Sequence, residues 1–542
     1  MSDADPPKAE PPTQEPDAPS VPERRSRLTT LLPALVMLAA LLGMVKDSFA
    51  LYHFPLDDAW IHQVYARSLA HGDGMAYNPG RQEAGSTSPL WALVTAPAHW
   101  LGPIPAVLGV KLVGSCLALA FILILARLAF HLTASRLTAA TAATLAALEP
   151  RLAFSALSGM EPVLLVTLIV GAALAAVEGR FLLGLLCLGL MPVTRPEAVI
   201  FLPLAAPLWW LLLRRGAPWP RLGMAAALPF LPAAIWAAFC LWATGHPLPN
   251  SFYIKARPFH LGLDQMAGAL EALTLSGLFP LWLFLLGLVA FSVTCAMRGV
   301  AGLKAWLLLF ALPTAFMVGV VGSRTMYLGG YYWTRWLDPA TLTLSAAAAV
   351  GLMDLPNRLA RFWSKPLRLP LPSSWMALLV CLALALPHLR DAFEDRRDHL
   401  SSDSRVIALL NVRLGQWAAE HVPPDAVIGV NDAGALRYFS DRYCIDLLGL
   451  NNADVAFARM DTKQAVDQSD WLVIFPSWFE RRELLGHIHE HFEPRAEARI
   501  PFEEFTLFDS PGQTVKVVFE RRADPMEPAF DRGETQLSEP EN

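Results

Sequence analysis

Residues 51–91 read LYHFPLDDAWIHQVYARSLAHGDGMAYNPGRQEAGSTSPLW, and this stretch decides how the rest of the chain is read. An apolar run at about 29–46 precedes it, long enough to cross a bilayer. Two adjacent carboxylates, Asp57 and Asp58, stand just past that exit, where packing has no use for them. They introduce AWIHQVYARSLA, whose spacing predicts an amphipathic helix with Trp60, Val64 and Leu69 toward lipid and His62 and Arg67 toward water. Turn signals follow at Gly72-Asp73-Gly74 and Asn78-Pro79-Gly80, then the Ser/Thr-rich 85–89. The stretch reads as a folded loop at a membrane surface and as the place where chemistry is done.

Outward from the loop, the composition is that of a membrane protein. Of 542 residues, 54% are hydrophobic and 17% charged, against about 25% charged in a soluble protein. Mean hydropathy is +0.39. Apolar stretches recur near 105–130, 137–154, 161–178, 180–194, 196–213, 222–243, 277–297, 304–322, 336–353 and 373–389. With the first, they predict about eleven transmembrane helices in an α-helical polytopic protein. The segment Pro89–Leu101 is too short to cross and is expected to lie along or dip into the interface.

The expected domains are a disordered cytoplasmic tail (1–27), a transmembrane domain (28–390) whose first outer loop is 48–104, a small α/β domain (391–522), and a disordered acidic tail (523–542). Within 391–522, SSDSRVIALLNVRLGQWAAEHV and ELLGHIHEHF read as helices. Runs at 427–430, 444–449, 471–475 and 514–519 read as strands. Arg and Lys crowd alternate loops, from Arg127 and Arg136 through Arg214 and Arg215 to Arg358, Arg361, Lys365 and Arg368. The positive-inside rule then puts the N-terminus in the cytoplasm and both the Asp57-Asp58 loop and the C-terminal domain on the outer side of the membrane. Among six cysteines, Cys444 alone lies in the polar C-terminal part, so that part holds no internal disulfide. No basic face recurs, which excludes nucleic acid as a partner.

The loop, DDAWIHQVYARSLAHGDGMAYNPG…GSTSPLW, resembles the first outer loop of the GT-C superfamily of integral membrane glycosyltransferases, most closely the branch of mycobacterial arabinofuranosyltransferases. SGME (158–161), TRPE (194–197), GHPLPNSFY (245–253), YFS (438–440) and DLLGL (446–450) match in the family's order, so the resemblance touches most of 51–450. It implies a polyprenyl-phosphate sugar donor and an acidic residue of the first outer loop at the reacting centre. By family habit the acceptor is a hydroxyl of an envelope glycan or glycolipid.

Chemistry agrees with that expectation. Sugar transfer to a hydroxyl uses a base at the anomeric carbon, and a carboxylate also stabilises an oxocarbenium-like transition state. A phosphate leaves as a stable anion, so one carboxylate suffices. Asp57 is taken as the base, with Asp58 as helix cap, acceptor-orienting group or, with Asp57, ligand of a divalent cation; no other cofactor is expected. The bland account of the pair is an N-cap and first-turn acid.

His62 lies one turn after Asp58, placed for donor phosphate, for metal, or simply for water. Arg195 and Glu197 sit between apolar stretches, where a charge needs a ligand or a partner, and they can pair with each other. Glu161 opens another helix. The donor phosphate needs cations, and Lys255, Arg335 and Arg195 are the candidates, Lys255 and Arg335 being preferred to Arg257 and Arg324. Tyr253, Tyr331, Tyr332 and Asn250 can bind phosphate or sugar; the same Tyr/Trp/Arg mixture also makes an ordinary aromatic belt. A transporter or flippase of lipid-linked sugars is the rival reading. It would want mid-membrane charges and internal repeats, whereas most charges here sit at helix ends.

Overall fold

The computed structural model describes residues 23–255, 258–262, 266–267, 269, 277–323, 335–360, 373–480, 484–501 and 514–523. Arg257, Arg324, Tyr331, Tyr332 and most of both tails lie outside them.

Every apolar stretch above contains helix. Five helices are long and apolar enough to cross a membrane: Pro103–Thr133, Pro196–Arg214, Gly299–Ser323, Arg335–Leu359 and Ser373–His421. Counting each of two bent pairs as one span gives seven, and three further apolar helices are shorter. The eleven expected spans therefore stand, among the described residues, as five to seven by length and composition. One cause is visible at 137–154, where Glu149-Pro150 divides the stretch into helices Arg136–Ala147 and Pro150–Leu157. Proline lacks the N–H that would carry the first helix on, and it suits the first turn of the next.

The helix Asp338–Leu359 runs through the middle of the bundle and is buried over most of its length. Its run of alanines lets the helix Leu281–Ala296 approach closely, as small residues do in bilayers. Lys111, in the helix Pro103–Thr133, is buried, and its ammonium donates to the carbonyls of Ala50 (3.0 Å) and Leu157 (2.7 Å). A buried ammonium costs several kcal/mol unless so satisfied, and here it fastens the loop's entry to the bundle.

At Met44 the chain leaves its first helix and turns by 114° into the segment Ser48–His71. The helix Asp57–His71 thus crosses the end of the bundle. A hairpin follows, β1 (Ala76–Asn78) and β2 (Arg81–Gln82), then the helix Pro89–Thr95 and a tighter turn to Leu101. Trp100 and Leu101 are exposed, as apolar groups at an interface are.

The C-terminal part carries a five-stranded mixed sheet in the order β4-β3-β5-β7-β6. Its strands are β3 (Val427–Val430), β4 (Tyr443–Asp446), β5 (Trp471–Ile474), β6 (Phe492–Arg499) and β7 (Val515–Arg521). β3 is parallel to β4 and β5, while β7 is antiparallel to β5 and β6. β6 is absent from the sequence expectation because it alternates charged residues and a proline, the composition of an edge strand. The boundary placed at 390/391 falls inside one continuous helix, Ser373–His421, so the change from apolar to polar composition occurs along a single rod.

Candidate active site

The loop and the sheet are stitched together by buried hydrogen bonds, and this stitching sets the two aspartates in place. Asn78 exchanges a reciprocal pair with the backbone of Cys444, at 2.7 and 2.9 Å. Tyr77 donates to the Ala433 carbonyl at 2.8 Å, and Tyr65 to Asn451 Oδ1 at 3.0 Å. Asp446 accepts the N–H groups of Leu448, Gly449 and Asn451, which fixes the DLLGL turn. The helix Asp57–His71 is consequently covered on both sides. Trp60, Val64 and His62 are all buried, which corrects the expected division into lipid and water faces. The helix Ala435–Ser440, whose Tyr438 and Phe439 pack on Trp60, and Glu161 beside His62 supply cover that a scan along one segment does not reveal.

Adjacent in sequence, Asp57 and Asp58 part company in space. Asp57 accepts from Asn411 Nδ2 (2.9 Å) and from the backbone N–H of Gly434 (2.7 Å) and Ala435 (2.9 Å). A Cβ on Gly434 would fall 2.1 Å from the Asp57 carbonyl oxygen, so glycine is what permits this approach. Burial, with the Asp432 carboxylate nearby, pushes the Asp57 carboxyl up to about 6. Its oxygens serve as a clamp on the start of the helix Ala435–Ser440.

Asp58 instead faces cations. Arg335 Nη2 donates to its Oδ2, and Lys255 Nζ lies 3.6 Å from the same atom. Against the cost of burial, Lys255 and Arg335 hold the Asp58 carboxyl down at about 2. It is an anion at any working pH.

Around it opens a cleft of about 710 Å³, mouth included, that brings together Asp58, His62, Glu161, Arg195, Glu197, Lys255 and Arg335. Arg195 Nη1 donates to Glu161 Oε1 at 2.8 Å, while its Nε lies 3.6 Å from Glu197. His62 Nε2 is 3.3 Å from the other Glu161 oxygen. Arg195 thus pairs more closely with Glu161, from another helix, than with its neighbour Glu197. Trp91 Nε1 bonded to the Gly159 carbonyl (2.8 Å), and Leu90 N to that of Val193 (3.1 Å), hold these helix ends against the loop.

Two candidates lie elsewhere. Asn250 is buried against Glu83, to which it donates at 2.9 Å, and serves to fasten the hairpin. Tyr253 packs with His246 and Phe457 at ring separations of 5.4 and 5.3 Å, outside the cleft lining. Ser251 and Phe252, between them in sequence, do line it and are absent from the sequence expectation. Glu83, also absent from it, is a buried acid at the head of the small, polar run 84–88, with Arg81 Nε 3.7 Å away.

A second cleft, of about 650 Å³, lies on the other side of Asp58. Asp57, Asn411, Asn431, Asp432, Phe475 and Trp478 contribute to it, and it shares Asp58, Ile61 and Leu450 with the first. Asp58 stands where the two meet.

A divalent cation does not fit the aspartate pair as it stands. Asp58 is engaged by two cationic side chains, and Asp57 by three N–H donors. Among the described residues, His487, Glu490 and His491 form the group with metal-ligand spacing, on the helix Leu485–His491.

Comparison with known proteins places this geometry in a fold. A family model described as a domain of unknown function, DUF8728, matches residues 402–518. No curated protein matches the sequence. Among solved structures, ArnT from Cupriavidus metallidurans in the apo state superposes with a TM-score of 0.57 at 14% identity, over 92% of this chain and 98% of that one. The same protein bound to undecaprenyl phosphate gives 0.54 at 13% identity, with the same coverage. The archaeal oligosaccharyltransferase AglB from Archaeoglobus fulgidus, in complex with an inhibitory peptide and a dolichol-phosphate, gives 0.52 at 11% identity over 92% of this chain and 74% of that one. The likeness is one of fold: the chain shares the helical architecture of these membrane proteins.

Proposed function

We propose that the chain is a membrane glycosyltransferase that moves a sugar from a polyprenyl-phosphate donor to a hydroxyl of an envelope glycan or glycolipid. The observation that carries this is the position of Asp58, a half-buried carboxylate at the meeting of two clefts, one of them lined by cations. Similar folds bind undecaprenyl phosphate and dolichol-phosphate, which supports a lipid-linked donor. The arabinofuranosyl branch, the outer-face orientation in a bacterial inner membrane and the extracytoplasmic C-terminal domain belong to the same proposal. They rest on the loop motif and the distribution of Arg and Lys.

The donor phosphate enters the first cleft from lipid and draws on Lys255 and Arg335. These cations are then shared between phosphate and Asp58, so the carboxylate regains the basicity they suppress. The acceptor oxygen attacks the anomeric carbon, the carbon–oxygen bond to phosphate breaks with its electron pair, and the acceptor proton passes to Asp58. The polyprenyl phosphate leaves as an anion held by the same two cations. The Glu161–Arg195 pair braces His62 and keeps the cleft's far wall compensated. Asp57 positions Asp58 by locking the helix start, in place of the role of base expected from sequence.

The test is a deletion strain. Its membranes are expected to accumulate one lipid-linked sugar, which purified protein then consumes in the presence of the strain's own envelope glycolipid. Unchanged lipid-linked sugars, with a nucleotide sugar accumulating instead, would contradict the proposal.

A further inference from the structure

The second cleft has a position that the sheet topology explains. The chain runs from β3 to β4 on one side of it, then crosses back to β5 on the other. In open α/β sheets, ligands bind outside the carboxyl ends of parallel strands at such a reversal. Here Asn431 and Asp432 follow β3, Leu448 follows β4, and Phe475 and Trp478 follow β5. The crevice so formed ends on Asp58.

We propose that this crevice is the acceptor subsite, that it takes a neutral sugar through Asn431 and Trp478, and that it rejects acidic sugars. The inference rests on the glycosyltransfer reading above. Asn431 is 3% exposed, and its Oδ1 accepts from Phe475 N at 3.3 Å, which fixes the amide's orientation. Its Nδ2 has no hydrogen-bond partner among the described residues. A buried amide left unsatisfied is costly, and a ligand hydroxyl removes that cost. Trp478 and Phe475, with ring centroids 6.1 Å apart, form an aromatic wall beside it. The negative face of such a ring accepts the C–H face of a sugar.

Charge supplies the selectivity. Lys516 is wholly buried and committed to Asn411 and Asp432, each at 2.9 Å. Arg335 and Lys255 engage Asp58 from the first cleft. The charged groups in the lining itself are Asp57, Asp58 and Asp432, with Lys516, Lys255 and Arg335 standing behind them, so carboxylate is the charge a ligand meets there among the described residues. An acidic acceptor would meet that charge at low dielectric. The leaving phosphate and the incoming hydroxyl are thus sorted to opposite sides of Asp58 by charge.

The experiment uses detergent-purified full-length chain without donor, titrated with methyl glycosides of neutral pentoses and hexoses and with the corresponding uronates, binding being followed by saturation-transfer NMR. A neutral glycoside is expected to bind in preference to its uronate. Asn431→Ala should weaken it about three- to tenfold, and Trp478→Ala at least as much. Undecaprenyl phosphate binding should be unchanged in both. Uronates binding as well as neutral glycosides, both variants binding like the parent, or no saturable neutral binding at all would each overturn the inference. Neutral binding that persists while undecaprenyl phosphate fails to bind would leave the subsite standing and remove the donor reading instead.

Discussion

The two sides of Asp58 are built from different material. Toward residues 161, 195, 255 and 335 the wall is made of helix ends and carries charges in compensated groups. Toward residues 411, 431, 475 and 478 the wall comes from the sheet and its flanking helix, and its lining is amide, aromatic and carboxylate. Helix ends at a membrane surface gather charges that can hold a phosphate. A sheet edge offers directional hydrogen bonds and flat apolar faces, which suit a neutral polyol.

The largest effect that sharpens the contrast is expected at its centre. Asp58→Asn should lower kcat by about 10²–10⁴ with donor binding retained, as measured by single-turnover transfer. A next step down, Arg335→Gln or Lys255→Gln should weaken undecaprenyl phosphate binding by about tenfold or more, since each removes one charge-assisted hydrogen bond. If both variants bind as the parent does, the cationic side is not the phosphate side.

The pH profile separates the two aspartates. Asp58, held at about 2, is already the carboxylate that a base must be, so kcat/KM should show no acid limb from it above about pH 4. A limb near 6 would point to Asp57.

The smallest effect concerns stability. The carboxyl of Asp57 is raised to about 6 in the fold from 3.8, so the folded state binds the proton more tightly. Stability contributed by this group is therefore present below about pH 4 and lost as pH rises through 6. Asp57→Asn should flatten that slope in thermal unfolding, while the loss of clamp hydrogen bonds costs about 1–3 kcal/mol.

Much of the cationic side was legible in the sequence because charge at membrane depth is costly and stands out against apolar surroundings. Asp58, His62, Glu161, Arg195, Glu197, Lys255 and Arg335 could be named one by one, and the structure gathers them in one cleft. What the sequence could not give was the division of labour between Asp57 and Asp58. That depends on Gly434 and Asn411, more than 350 positions away, whose approach follows from the tertiary fold. Asn250 and Tyr253 misled because their neighbours Ser251 and Phe252 turn toward the cleft in their stead. The sheet side was less legible still. Asn431 and Trp478 carry no charge and follow short strands, so only the strand order makes them neighbours. Helix ends were less legible than apolar runs, because proline or a bend divides a run at a point that composition alone does not mark.

One measurement addresses the central claim most directly. Purified protein is given a radiolabelled sugar on a polyprenyl monophosphate, or the same sugar on a nucleotide, together with the acceptor glycolipid, in single turnover. The account predicts transfer from the lipid donor alone, abolished in Asp58→Asn and retained in Asp57→Asn. Transfer from the nucleotide sugar, or transfer from the lipid donor that survives Asp58→Asn and disappears with Asp57→Asn, would contradict it.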